Sequence, residues 1–212
     1  MRASRLLMNC ILAAGVLFPV LCRPSAATAT PLSTTGLTVT QNPQTLLKSW
    51  HYKHAGFMLE LTQRLPDQNR AIMQARGFSE KVADLIARQC LFKTVIQNQT
   101  EAGKNIRLHL DLRNWKIRYK NTLRQMKTRE YWTGVFLKQH RHKPASALAL
   151  KWGLYPTTNT LQAGDYNWGL SSFGLPPGSR FDLKIVWTRN GKPHTLWING
   201  MQCPPDVDRL NK

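Results

Sequence analysis

His51-Tyr52-Lys53-His54, with Met58 four residues further on, gathers two imidazoles and a thioether in one short stretch. Copper takes that combination of nitrogen and soft sulfur ligands. The backbone decides whether it can form: on a strand, His51 and His54 point to opposite faces, whereas at a turn they converge. A second stretch carries His109 and Asp111, two positions apart and so on one face of a strand. A touching His–Asp pair is half of an acid/base device. No nucleophile motif completes it, because Gly169-Leu170-Ser171-Ser172-Phe173 lacks the second glycine of G-x-S-x-G. Phosphate-binding glycine loops, H-E-x-x-H and zinc spacings are missing too. The 11 Asp and Glu residues are few for paired-carboxylate work and do not cluster.

Other stretches point to binding rather than reaction. Arg107, Arg113, Lys116 and Arg118, with Lys120 and Arg124 beyond, lie along one extended segment and its exit. On a one-sided sheet they form a docking face for an acidic partner, sensitive to salt. Tyr166, Trp168 and Phe173 precede the turn Pro176-Pro177-Gly178. They line either the rim of a peptide or small-ligand site or a corner of a β fold. His140-Arg141-His142-Lys143 closes a helical stretch, where cations complement the helix dipole.

The ends of the chain set the compartment. Arg2 and Arg5 precede an apolar run, Leu6 to Cys22, and Ala27-Thr28-Ala29 fits a small-x-small cleavage site. Residues 1–29 therefore read as a cleaved secretory signal peptide. The alternative is an uncleaved N-terminal membrane anchor, although about 17 apolar residues interrupted by Pro19 are short of the roughly 20 that a span needs. An exported protein is expected, periplasmic if the source is Gram-negative, with no transmembrane span after cleavage. Cys10 and Cys22 leave with the signal, and the remaining pair, Cys90 and Cys203, is expected to form a disulfide. The whole chain has 30 Lys and Arg and a net charge of +19; without residues 1–29 it keeps 27, for +16. That balance favours an acidic protein or an anionic envelope surface as partner, and the exported location argues against nucleic acid. No cofactor is implied apart from copper.

The elements that must position these residues follow from hydrophobic period. Residues 30–46 form an extended entry segment, with Leu37 to Thr40 a first strand. Residues 47–206 make a single β-rich domain, and residues 207–212 a polar tail. Gly56 to Leu65 alternates as a strand. Pro66 opens a helix that closes at Gly77, and Ser79 caps a second over 80–89, with Val82, Leu85 and Ile86 as its apolar stripe. Cys90, Phe92, Thr94 and Ile96 alternate again. Asn105 to Arg113 points Ile106, Leu108, Leu110 and Leu112 inward and Arg107, His109, Asp111 and Arg113 outward, the pattern of an antiparallel sheet. The phase slips near Asn114, so a bulge or bend belongs there. Thr128 to Gln139 has helical spacing. Leu148, Leu150, Trp152 and Leu154 alternate, as do Phe181, Leu183, Ile185 and Trp187. Asn190-Gly191 is a strong hairpin signal, with a return strand from His194 to Cys203.

Seven or eight short strands result. The expected fold is mainly β (α+β): an antiparallel β-sandwich, loosely immunoglobulin-like, with a two-helix insertion and one further helix. A partly open barrel is the alternative. The expected function is that of an exported, non-catalytic accessory or binding protein that docks through its basic surface. The alternatives are a copper-binding protein using His51, His54 and Met58, and a hydrolase-type enzyme using His109 and Asp111.

Overall fold

A computed structural model describes residues 35–139 and 144–207 of the chain. The expected signal peptide, His140 to Lys143 and most of the polar tail lie outside the described residues. Eleven strands and four α-helices are described. The first sheet holds β1 (Leu37–Gln41), β2 (Lys48–His54), β3 (Phe57–Gln63), β4 (Leu91–Asn98) and β9 (Tyr166–Ser172), in that order across the sheet. The second is built around β10 (Arg180–Arg189). β11 (Lys192–Gln202) pairs with one side of β10. β5 (Leu108–Asp111) and β6 (Lys116–Tyr119) lie end to end along the other. β8 (Thr158–Leu161) flanks β5, and β7 (Thr122–Gln125) flanks β6. All these strand pairs are antiparallel.

The two sheets bury their inner faces against each other. Trp50, Phe57, Leu59, Leu61, Phe92 and Ile96 of the first meet Ile117, Phe181, Leu183, Ile185 and Trp187 of the second in one cluster. Phe57 and Trp187 stack with centroids 4.2 Å apart. Trp115, fully buried, donates its Nε1–H to the carbonyl of Val186 (3.0 Å), so its polar atom costs nothing in desolvation. The expected phase slip is a 3-10 turn, Leu112–Asn114, where the Asp111 side chain accepts from the Arg113 N–H. This turn lets Leu110 and Ile117 face the same core although they are odd-spaced. Cys90 and Cys203 form the expected disulfide, tying the start of β4 to the end of β11.

Four helices make a second, smaller core on the outer side of the first sheet. They are α1 (Pro66–Ala75), α2 (Glu80–Ala87), α3 (Arg129–Gln139) and α4 (Pro144–Gly153). Met73, Phe78, Val82, Ile86, Trp132, Leu150 and Leu154 pack with Leu91 of β4, and Leu170 of β9 joins them. Among the described residues, the helices cover that end of the sheet.

Four expectations are corrected. Leu148 to Leu154 is not a strand: Pro144 starts α4, and of the intervening Ala149, Lys151 and Gly153 only Lys151 is polar, so helix propensity overrides a weak alternation. The helical period then buries Ser146, Leu150 and Leu154 and leaves Leu148 and Trp152 outside. Leu85 of α2 is exposed rather than part of the buried stripe, which is made by Val82, Ala83 and Ile86. The strand expected over Asn105 to Arg113 is shorter, Leu108–Asp111. His51 to His54, which could have met at a turn, lie instead on a full strand, Lys48–His54, paired with β1.

Candidate docking surface

The solvent face of the second sheet collects the basic residues. The antiparallel register sets Arg118 opposite Asp182 and Lys116 opposite Lys184, with Lys184 in turn opposite Trp197 of β11. Ile117 and Leu183, between them, are buried, so all these neighbours share the outward side. Arg118 donates from Nε to Asp182 Oδ2 at 2.9 Å and lies 4.7 Å from the Trp197 ring centroid. Arg113 is gripped by Asp111 through both Nε and Nη2, at 2.9 and 2.7 Å. That guanidinium holds the Asp111 carboxyl below the usual carboxylate range.

Arg113 and Arg118 are thus matched on the spot, while Arg107, Lys116 and Lys184 have no carboxylate partner among the described residues. Lys116 and Lys184 stand directly across from each other, where like charges repel. The Lys116 ammonium reaches the Arg113 carbonyl, at 3.4 Å, and the side-chain amide oxygen of Gln125. Lys120 and Arg124 gather around the Tyr119 ring at the rim. Lys184 was missed in the sequence, although its outward position follows from the alternation of Leu183 and Ile185.

The aromatic candidates divide. Tyr166 (65% exposed) and Trp168 (61%) project from β9 on the outer side of the first sheet, beyond the part covered by helices. Trp152, at 69% exposed, was not expected to contribute. It stands two residues before Leu154, which bridges in parallel to Leu170, itself two residues after Trp168. Phe173 leaves the set: it is 1% exposed and packs against Phe92 and Phe181 with centroids 5.1 and 5.0 Å apart.

The reactive candidates are not brought together. His51 shares the outer face of the first sheet with Glu60 and Met58, whereas His54 pairs with Phe57 on the opposite side. Glu60 Oε2 is 3.9 Å from His51 Nδ1, and Thr40 Oγ1 is 3.3 Å from its Nε2. His54 lies instead near Tyr52, its ring centroid 6.4 Å away. Among the described residues, no group of three or more His, Cys, Asp or Glu is placed to hold a metal. His109 Nδ1 is hydrogen-bonded to Thr160 (2.9 Å) and Asp111 to Arg113, so each takes a partner other than the expected one.

Comparison of the chain with protein-family models, with curated proteins and with solved structures finds no match. Among the described residues, no helix is long and apolar enough to cross a membrane.

Proposed function

We propose that the protein is an exported, non-catalytic binding module that docks an acidic protein or an anionic envelope surface through the outer face of its second sheet. The observation that carries this reading is the Lys116–Lys184 pair, two like charges in direct register with no carboxylate between them. An arriving carboxylate or phosphate relieves that repulsion, which complementary charge across an interface does in general. Trp197, under Arg118, adds an amphipathic surface beside it. The disulfide supports an oxidising compartment.

The test uses polyglutamate and phosphatidylglycerol vesicles as acidic probes. Binding at about 50 mM salt is expected to be lost by about 500 mM, where the Debye length has shrunk to a few ångströms. Lys116→Glu with Lys184→Glu is expected to weaken binding about a hundredfold, within the range for close charge pairs. The pair Lys48→Glu with Lys192→Glu makes the same change of net charge elsewhere. An equal effect from that control pair, or salt-insensitive binding, would overturn the assignment to this face.

A further inference from the structure

Arg64 follows β3, and Asn69, Met73 and Arg76 come round on one face of α1 and its C-terminal end. Asn69 is 0% exposed. Its Oδ1 accepts a hydrogen bond from Arg64 Nε at 3.1 Å. That contact fixes the amide, because the opposite orientation would set two donors face to face. Nδ2 is therefore turned away from Arg64, and it is buried with no acceptor. Arg76 Nη1 is buried in the same condition. It lies against Gly153 at the end of α4, where a Cβ would come within 3.1 Å of it.

The two arginines sense each other. Burial, and then the charge of Arg76, pull the Arg64 guanidinium below its ordinary value. Neither is joined to a carboxylate among the described residues, and the contrast with their neighbour is sharp. Arg70, on a different side of α1, binds Asp67, Asp84 and Asp206 together. The three aspartates thus pair with Arg70, and Asp84 with Arg88 as well, which leaves Arg64 and Arg76 with no carboxylate among the described residues. Buried donors without acceptors are rare in folded proteins and call for a partner.

We propose that Arg64, Asn69 and Arg76 form a binding site for a phosphate group. A phosphate offers acceptor oxygens in several directions, which suits an amide N–H and two guanidiniums approaching from different elements. It also neutralises the repulsion between them. Both arginines are only half-buried, so each guanidinium side chain reaches solvent in part, while the Asn69 amide lies beneath. The site is separate from the face of the second sheet and does not rest on its role. Inorganic phosphate and a lipid phosphate headgroup present the same oxygens.

Calorimetric titration of the full chain with inorganic phosphate at constant ionic strength tests the site. One equivalent is expected to bind, at least tenfold more weakly in Arg76→Gln and unchanged in Lys192→Gln. Asn69→Asp places a carboxylate against Arg64; it is expected to raise the melting temperature and to abolish the further rise that phosphate gives the unaltered chain. Vesicles containing phosphatidic acid separate the sources. Binding that free phosphate competes away assigns a lipid headgroup, and its absence assigns the free ion. No binding of phosphate up to about 10 mM, or equal binding by the unaltered chain and Arg76→Gln, would overturn the proposal. So would an Asn69→Asp chain that is stabilised while the unaltered chain ignores phosphate.

Discussion

His194 shows how a single side chain ties stability to pH. Its ring stacks on Trp187, centroids 5.3 Å apart and planes within 14°. Burial first, then the charges of His54 and Arg189, lower its pKa from the ordinary 6.5. A histidine held neutral in the fold takes up its proton more readily in the unfolded chain. Its contribution is therefore complete above about pH 6.5 and is lost as the pH falls from there toward the folded-state value. Urea melts are expected to show a lower midpoint at pH 5.5 than at pH 7.5, and His194→Phe to remove part of that difference. The exposed rings behave oppositely. Trp152→Ala and Trp168→Ala are expected to change stability by no more than about 0.5 kcal/mol, as surface substitutions do, so any lost binding in these variants reports contact rather than misfolding. The residue scale is also where the sequence is least legible. Tyr166 and Phe173 sit seven positions apart in one aromatic-rich stretch, and only the strand register of β9 shows that one faces water and the other the core.

Elements are legible where apolar residues alternate with strongly polar ones, and hidden where they do not. β3, β4 and β10 are plain in the sequence because burial on one side demands the period. β2 is less so, because its inward face is carried by Trp50 and Tyr52 alone between lysine, serine and histidine. α4 was misassigned because alanine satisfies both periods. The edge of β9 shows what the sequence conceals entirely. A Cβ on Gly169 would meet the backbone of Tyr155 at 2.5 Å and of Leu154 at 2.9 Å, a contact made by the chain as it leaves α4 and crosses β9. Gly169→Ala is expected to cost about 1–3 kcal/mol, the usual range for overpacking, measured by urea denaturation. The disulfide closes a separation of 113 residues. Replacing both cysteines by serine is expected to cost on the order of 4 to 5 kcal/mol in the chain-entropy model. Thiol labelling of the oxidised protein should find Cys90 and Cys203 unreactive.

Charge is a property of the whole molecule, yet its arrangement decides what it does. Composition shows the excess of cations, but not that Asp111 and Asp182 cancel two of the arginines singled out, nor that Lys116 meets Lys184. That meeting needs β6 to pair with β10, more than sixty positions away, and pairing at such distance has no local signal. The same is true of Arg64 and Arg76, whose lack of carboxylates depends on where the C-terminal Asp206 comes to rest.

β10 has one more consequence, in time rather than space. Among the described residues it is the only strand that joins β5, β6 and β11, and it begins at Arg180. A chain emerging from its amino end can assemble β1 to β4 early, but β5 to β8 have no central strand to join until nearly nine-tenths of the residues are out. Contacts so distant in sequence slow folding. Premature termination before Arg180 therefore leaves half of the sandwich without a template, and such fragments are expected to be degraded rather than to accumulate as a smaller working module.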